Sequence, residues 1–173
     1  MTRSEPLHVV VMGVSGSGKT TIAGRLATRL GYAFADADGF HPEDNVAKMA
    51  RGEPLTDLDR QPWLESVAAW IAAQHRAGRS TVLACSALKR LYRNILRVDA
   101  PRRILFVHLA VPTAVLRERM RNRTGHYMPP DLLGSQLATL EPLERDEPGI
   151  TVEATAEPAA IVDNILEQVA VII

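Results

Sequence analysis

Short apolar runs alternate along this chain with longer segments that have helical periodicity. Five of the runs are partly β-branched and predict strands, at residues 8–12, 32–35, 81–85, 104–109 and 150–153. No repeat, low-complexity block or Ser/Gly-rich linker interrupts the pattern. Strands that alternate with helices typically form a parallel sheet covered on both faces. We therefore predict one α/β domain spanning residues 1–173.

The ends of two helices can be predicted from capping residues. The helix after the second strand is expected to have Asp59 as its N-cap and Pro62 in its first turn, and to end at Gly78. The helix after the third strand is expected to have Ser86 as its N-cap. In parallel sheets of this kind, ligands bind outside the carboxyl ends of the strands. Residues that follow strands are therefore the first candidates for a site.

Composition and charge exclude several classes of function. Lys and Arg together number 20, as do Asp and Glu, so no bulk positive field attracts nucleic acid or a membrane surface. The single Cys85 cannot form an internal disulfide, which fits a reducing compartment. The apolar run near the start is too short to span a bilayer and lacks a signal-peptide cleavage pattern. We expect a soluble, cytoplasmic protein without nucleic-acid or membrane partners.

The segment GVSGSGKT, residues 13–20, is the strongest chemical signal in the chain. It fits the phosphate-loop pattern G-x-x-x-x-G-K-[ST], follows the first predicted strand and opens the first helix. Its backbone N–H groups and the helix dipole would hold phosphates, Lys19 would reach the β- and γ-phosphates, and the Thr20 hydroxyl would bind Mg²⁺. ATP or GTP with Mg²⁺ is the expected ligand. The residues expected to bind it are Gly13, Ser15, Gly16, Ser17, Gly18, Lys19, Thr20 and Thr21.

Two carboxylates, Asp36 and Asp38, close the second predicted strand in the stretch DADGFHPEDN. At that position a carboxylate can hold Mg²⁺ through water or accept the proton of an attacking hydroxyl, the two tasks that a kinase requires. The alternative is an ordinary solvated turn with Asx capping. Residues 36–39, DADG, also match D-x-x-G, a GTPase switch signature. It comes too soon after the phosphate loop, and no N-K-x-D motif follows, so a GTPase is disfavoured.

Several cations are expected near the same strand ends. Lys89 and Arg93 lie four residues apart in the helix after the third strand, and a lysine in a first turn opposes the helix dipole unless an anion binds there. His41, Lys48 and Arg60 lie between the second strand and the next helix. Together these cations suggest a small acceptor that carries a carboxylate. The alternative for each of them is an ordinary surface charge.

A second basic run follows the fourth strand, at residues 117–127. Arg119 and Arg123 share a helix face, and Gly125 then breaks the pattern. This arrangement predicts a lid, at about residues 121–135, that brings arginines over the phosphates and excludes water during transfer. A solvated basic helix end is the alternative interpretation.

Four stretches resemble the gluconokinases of the shikimate-kinase-like group of P-loop proteins: residues 13–20, DADGFHPEDNVAKMARGEPLTDLDRQPWL, CSALKRLYR and RTGHYMP. The second stretch is far more specific than the phosphate loop, and the resemblance covers nearly the whole chain. It implies ATP-dependent phosphorylation of D-gluconate at the 6-hydroxyl to give 6-phospho-D-gluconate. It also implies a three-layer α/β/α fold with five parallel strands in the order 2-3-1-4-5, a mobile lid and a homodimer.

The resemblance also implies roles for individual residues. Asp36 would approach Mg²⁺ through water, and Asp38 would bind the acceptor hydroxyl and act as the base. By analogy, Arg123 would reach the phosphates from the lid, acting with Lys19 in catalysis, and Arg119 would face the adenine. The acceptor-binding segment would span about residues 38–62. The residues expected to line the gluconate pocket are Asp38, His41, Lys48, Arg60, Lys89, Arg93 and His126.

One feature departs from the wider P-loop pattern, and two alternatives stay open. The third strand ends at Cys85 and Ser86 without a Walker-B aspartate, so metal binding must depend on Thr20, Asp36 and waters, or on a Ser86 hydroxyl. Cys85 itself is expected to be a buried strand thiol. A kinase of another small hydroxy acid, such as shikimate, is the nearest alternative function. A nucleotide-dependent switch without a small-molecule acceptor is the alternative from another class.

Overall fold

The computed structural model describes residues 4–99, 103–122 and 131–172 and contains a five-stranded sheet within them. Its strands are β1 (His8–Met12), β2 (Ala33–Asp36), β3 (Thr81–Ala84), β4 (Ile104–Ala110) and β5 (Gly149–Glu153). All neighbouring strands are parallel, in the order β2-β3-β1-β4-β5, which confirms the predicted order. Each predicted strand end lies within one residue of the observed one.

Helices connect the strands within the described part of the chain. They are α1 (Lys19–Leu30), α2 (Glu43–Ala50), α3 (Asp57–Arg76), α4 (Arg90–Leu96), α5 (Thr113–Arg121), α6 (Asp131–Thr139) and α7 (Pro158–Ile172). A short 3₁₀ turn, Ala37–Phe40, follows β2. None of the helices in the described ranges is long and apolar enough to cross a bilayer.

Two apolar clusters, one on each face of the sheet, make three layers. Side chains of β1 alternate between them: Val10 and Met12 pack with one cluster, and Val9 and Val11 with the other. The first cluster is covered mainly by α3 and α4, and the second by α1 and α7. A strand buried on both faces reads as a continuous apolar run, as expected for a parallel sheet. The carboxyl ends of β1, β2 and β3 are thereby held together at one edge.

The start of α3 differs from the prediction because two residues cap it together. The Thr56 hydroxyl accepts the Asp59 N–H at 3.1 Å, and the Asp59 carboxylate accepts the Thr56 N–H at 2.8 Å. This capping box makes Thr56 the N-cap and Asp59 the third helical residue. Asp59 as N-cap was therefore wrong, and Pro62 lies in the second turn. The helix ends as predicted, with Gly78 in the left-handed region at φ +72°.

The start of α4 also differs, and for a different reason. Ser86 is not a helix cap: its carbonyl accepts the Gly13 N–H at 3.3 Å, and the next residue, Ala87, has a left-handed φ of +44°. A chain in that conformation cannot continue into a right-handed turn. The helix begins instead at Arg90, with Lys89 at the N-cap position. The predicted placement of Lys89 in a first helical turn was therefore wrong.

Candidate active site

The loop between β1 and α1 carries the glycine-rich motif in a tightly turned conformation. The Ser17 N–H donates to the Val14 carbonyl at 3.2 Å, and Lys19 Nζ donates to the same carbonyl at 3.1 Å. Gly13 has φ +150°, and a Cβ at that position would lie 2.8 Å from Ser17 Oγ, so only glycine fits. Because α1 begins at Lys19, the positive end of its dipole faces the loop. The loop has the shape and charge of an anion site.

Two oxygen-bearing side chains meet beside this loop. Thr20 Oγ1 donates to Asp36 Oδ2 at 2.7 Å, and Asp36 Oδ1 accepts the Asp38 N–H at 2.9 Å. Asp36 thus links the start of α1 to the 3₁₀ turn and caps that turn. No group of three or more His, Cys, Asp or Glu residues within the described ranges is arranged to hold a metal ion. The two oxygen ligands that the described residues bring together here are Thr20 Oγ1 and Asp36 Oδ2.

Two cavities adjoin the loop and share one wall. The first lies over the loop and the start of α1 and reaches Thr20 and Asp36. The second extends from the loop towards α2, α3 and α6. Ser15, Lys19 and Asp38 line both cavities. A phosphate held in the first cavity and a molecule held in the second would therefore meet at Asp38.

His41 forms part of the wall of the second cavity. Its ring stacks on Trp63 with a centroid distance of 4.1 Å, and Trp63 Nε1 donates to the Ala37 carbonyl at 2.8 Å. Burial, and secondarily the positive charge of Arg60, lower the pKa of His41 to about 4. The imidazole is thus neutral at neutral pH. Because the Asn45 amide nitrogen lies 3.3 Å from Nδ1 and can only donate, Nδ1 is the acceptor and Nε2 carries the proton.

Arg60 brings a positive charge to the same wall. Its Nη1 donates to the Tyr92 hydroxyl at 2.8 Å, and its guanidinium lies 5.3 Å from the centre of that ring. The Tyr92 hydroxyl in turn donates to Asp57. These contacts hold the guanidinium in one orientation beside the cavity, where it can pair with an anionic ligand.

The helix α6 closes the second cavity; its first residues fall within the predicted lid of about 121–135, but none of its side chains was predicted as a site residue. Leu132 packs with Met49 and Leu55 in a small apolar cluster that is separate from the two main clusters, and all three line the cavity. Gln136 Oε1 accepts the Ser15 N–H of the phosphate loop at 2.6 Å. Thus α6 contacts both the predicted acceptor-binding segment and the loop. The available signal was the polar pair SQ inside the apolar run of residues 132–140.

Two of the predicted acceptor residues pair with carboxylates near the cavity. Lys48 donates to Asp59 at 2.7 Å, and this contact, with the Thr56 backbone, lowers the pKa of Asp59 to about 2. Lys89 donates to Asp57 at 3.0 Å and lies 5.7 Å from the centre of the Tyr92 ring. Neither lysine lines the second cavity, whereas Asp38, His41 and Arg60 do.

Arg93 has a different environment from the one predicted. Its side chain is fully buried, and Nε and Nη2 donate to the equally buried carboxylate of Glu147 at 2.6 and 3.0 Å. A guanidinium enclosed in this way does not face the cavity, so the structure corrects its predicted contact with the acceptor. Helical spacing places Arg93 with Lys89, but it does not reveal that the side chain points into the core. Cys85 is buried as predicted, and burial raises its pKa to about 12.

A third cavity lies on the other side of the phosphate loop. It is lined by residues 16–18 of the loop, by Arg119 and by residues 154–158 after β5. Arg119 bridges its two walls, since its guanidinium donates to the Gly16 carbonyl at 3.0 Å and to the Ala154 carbonyl at 3.1 Å. Its position next to the loop is consistent with a nucleotide base. The predicted site residues Arg123 and His126 lie outside the described residues.

Comparison with known proteins shows which proteins this chain is similar to. A family model described as an AAA domain matches residues 9–143. The gluconokinase of Gluconobacter oxydans (strain 621H) is 50% identical over 163 residues, covering 94% of this chain and 90% of that protein. A sugar kinase from Janibacter sp. HTCC2649 has a solved structure with a TM-score of 0.91 at 52% identity, covering 95% of each chain. A gluconokinase from Sinorhizobium meliloti 1021 gives a TM-score of 0.85 at 44% identity, covering 98% of this chain and 95% of that one.

Proposed function

The chain belongs to the gluconokinase family, and from this premise we propose that it transfers the γ-phosphoryl group of ATP to the 6-hydroxyl of D-gluconate. The products are 6-phospho-D-gluconate and ADP. The observation that supports this function most strongly concerns three residues. Ser15, Lys19 and Asp38 line both the cavity over the phosphate loop and the cavity beside it. The phosphoryl donor and the acceptor would therefore lie next to each other at these three residues.

The nucleotide is proposed to lie along the phosphate loop. The loop N–H groups and Lys19 bind its phosphates, and the third cavity, with Arg119, holds the adenine. Thr20 and Asp36 offer two hard oxygen donors side by side, which fits Mg²⁺, an ion that takes one or two protein ligands and completes its shell with phosphates and water. When bound, Mg²⁺ neutralises charge on the β- and γ-phosphates. We assign Thr20 and, through water, Asp36 to it.

The acceptor is proposed to occupy the second cavity with its 6-hydroxyl towards Asp38. The hydroxyl oxygen attacks the γ-phosphorus, the bond to the ADP oxygen breaks, and Asp38 takes the hydroxyl proton. Arg60 provides a cation for the acceptor carboxylate, and the neutral His41 hydrogen-bonds a hydroxyl group. Lys48 and Lys89 are proposed to act from the rim, through water or after movement of their carboxylate partners. Arg123 and His126 remain predictions for the closed lid.

The organisation of the molecule is proposed on the same resemblance. The chain forms one domain with an acceptor segment at about 38–62 and a lid at about 121–135. It works as a homodimer in the cytoplasm, without nucleic acid. The single buried thiol is compatible with a reducing compartment. Light scattering on the purified protein tests the dimer directly, because a monomeric mass at assay concentration contradicts it.

The decisive experiment is ADP production with ATP and Mg²⁺ in the presence of D-gluconate, shikimate and a panel of other sugar acids. We expect turnover with D-gluconate to exceed turnover with each other acid, and mass spectrometry to find one phosphate on carbon 6. Preferred phosphorylation of shikimate would support the alternative kinase. ADP release at one rate with and without any acid would support the nucleotide switch.

A further inference from the structure

The buried arginine of α4 makes contacts that reach the wall of the acceptor cavity. Besides its two bonds to Glu147, Arg93 donates through Nη1 to the Ala87 carbonyl at 2.9 Å and through Nη2 to the Pro142 carbonyl at 3.4 Å. Glu147 Oε2 also accepts the Glu144 N–H at 2.8 Å. This pair therefore joins three parts of the chain: α4, the loop after β3 and the segment between α6 and β5.

The loop after β3 is held through three consecutive carbonyl groups. The Ser86 carbonyl accepts the Gly13 N–H of the phosphate loop at 3.3 Å. The Ala87 carbonyl accepts from Arg93, and the Leu88 carbonyl accepts the Glu141 N–H at 2.7 Å. Ser86 and Leu88 line the acceptor cavity, whereas Ala87 is fully buried between them. The orientation of the Ala87 peptide thus determines how both neighbours face the cavity.

Ala87 has an unfavourable backbone conformation that requires such support. Its φ of +44° is the only positive value for a non-glycine residue in the described ranges. A residue with a Cβ disfavours this region of backbone conformations. Such a conformation persists only where surrounding contacts hold it in place. Arg93 supports it by donating to the Ala87 carbonyl, and the Cys85 thiol also interacts with the Ala87 backbone. Without the contact from Arg93, the peptide is expected to relax towards an ordinary conformation and to turn Ser86 and Leu88 with it.

Stability alone does not account for this ion pair. Burying two charges is costly, and a well-packed apolar pair of similar volume often stabilises a protein equally well. Burial raises the pKa of Glu147, but hydrogen bonds from Arg93 and from the Glu144 N–H outweigh this effect and keep the pKa below its ordinary value. The carboxylate stays ionised, and it holds the fork of Arg93 in the one orientation that reaches Ala87.

We propose that Arg93 and Glu147 are positioning residues for the acceptor. They fix the Ala87 peptide, and through it Ser86 and Leu88, so that the second cavity keeps the shape that binds the sugar acid. This inference rests on the proposed function of that cavity. It assigns the arginine of the CSALKRLYR stretch a role through the protein backbone, in place of a direct contact with the substrate.

The test is the double variant Arg93→Met/Glu147→Met, which removes both charges together and fills most of their volume. We expect it to fold, to show a KM for the acceptor raised about tenfold and to keep a KM for ATP within about twofold of the wild type. An acceptor KM equal to that of the wild type would overturn the proposal. The matched control is Leu91→Ala on the same helix, at a position 54% exposed, and both KM values should stay unchanged.

A second variant keeps the test decisive where the first does not fold. Arg93→Lys retains a charge beside Glu147, but a single ammonium nitrogen cannot reproduce the separate contacts that Nε, Nη1 and Nη2 of the planar guanidinium make with Glu147 and Ala87. We expect the same selective rise in acceptor KM. Loss of folding in both variants would assign the pair to stability alone and would overturn the proposal. The acceptor in these assays is whichever acid the wild type phosphorylates. A wild type that is inactive with gluconate counts against the proposed function. A wild-type-like acceptor KM in these variants counts against the positioning role of Arg93 and Glu147.

Discussion

Asp36 and Asp38 are separated by one residue and have different surroundings. Both oxygens of Asp36 are engaged, one by the Thr20 hydroxyl and one by the Asp38 N–H. Asp36 therefore fixes the backbone of Asp38, while the Asp38 side chain lines both cavities. In the proposed reaction the first aspartate serves the metal and the turn, and the second serves the hydroxyl. The two positions should thus respond differently to loss of charge.

We expect Asp38→Asn to reduce kcat about 10²- to 10⁴-fold, since an amide of the same shape cannot accept the hydroxyl proton. ATP affinity should change little, because the proposed phosphate contacts come from the loop, Lys19 and Thr20. Steady-state kinetics with D-gluconate and calorimetric titration with a non-hydrolysable ATP analogue measure the two effects separately.

The control for Asp38→Asn is Asp44→Asn, which removes an exposed carboxylate from α2 in the same segment. Its kcat should equal that of the wild type. If Asp38→Asn retains kcat within about threefold of the wild type, the assignment of Asp38 as the base is wrong.

Among the secondary-structure elements, α6 contacts both the proposed acceptor segment and the phosphate loop. Leu132 contacts the acceptor segment through Met49 and Leu55, and one helical turn later Gln136 accepts the Ser15 N–H of the phosphate loop. The small cluster is separate from the main clusters, whereas the neighbouring Leu133 packs in the first of them, so α6 is anchored on both sides. The position of α6 is therefore expected to govern how tightly the second cavity holds its ligand.

We expect Leu132→Ala to raise the KM for gluconate about three- to tenfold and to change the KM for ATP much less, because truncation removes the contact that seats α6 on the acceptor segment. Loss of buried methyl groups should also lower the melting temperature by a few degrees. Kinetics and thermal unfolding on one preparation measure both. Leu91→Ala, at a position 54% exposed on α4, is the control and should leave both unchanged. Equal rises in the two KM values would contradict this role of α6.

The predictions from sequence were most accurate for features that are determined by residues close together along the chain. The strands and the phosphate loop follow from local patterns, and they lie where the sequence predicts. The starts of α3 and α4 depended on which of several polar residues caps each helix. For α4, the tertiary hydrogen bond from the Gly13 N–H to the Ser86 carbonyl engages the residue that was predicted as the cap. The environment of Arg93 depended on Glu147, 54 residues away, which no periodicity reveals.

The site shows the same division at the level of the whole molecule. Asp38, His41 and Arg60 reach the cavity wall because they follow β2 within one contiguous segment with a recognisable motif. Leu132 and Gln136 are brought to that wall by the packing of α6, and the contact between Gln136 and Ser15 spans 121 residues. Motif reading therefore finds the chemical groups, whereas the elements that enclose them depend on long-range packing.

Buried histidines should make the stability of the whole molecule sensitive to mild acid. Burial lowers the pKa of His8 to about 4, with smaller contributions from His75 and Arg103, and burial likewise lowers that of His41 to about 4. The unfolded chain therefore binds protons that the folded chain rejects, so stability falls as pH decreases from 6.5 towards 4. For His8, which is fully buried, the loss at pH 5 is about 2 kcal/mol. Carboxylates such as Asp59, with a pKa near 2, lose their contribution only below pH 4 and do not obscure this window.

We therefore expect the free energy of unfolding, from urea titrations at pH 7.5 and pH 5, to fall less in His8→Gln than in the wild type, by about 2 kcal/mol. Glutamine can keep a hydrogen bond to Thr81, whose hydroxyl lies 2.8 Å from His8 Nδ1, and it does not take up a proton in this range. The side chain faces His75 from α3, and the charges of Arg103 and Glu5 lie close by, so the comparison is made at two salt concentrations to separate screening from proton binding. An equal fall in both proteins at both salt concentrations would mean that His8 does not titrate in this window, and the acid sensitivity would have to come from His41, from His108, whose pKa burial also lowers, or from the surface.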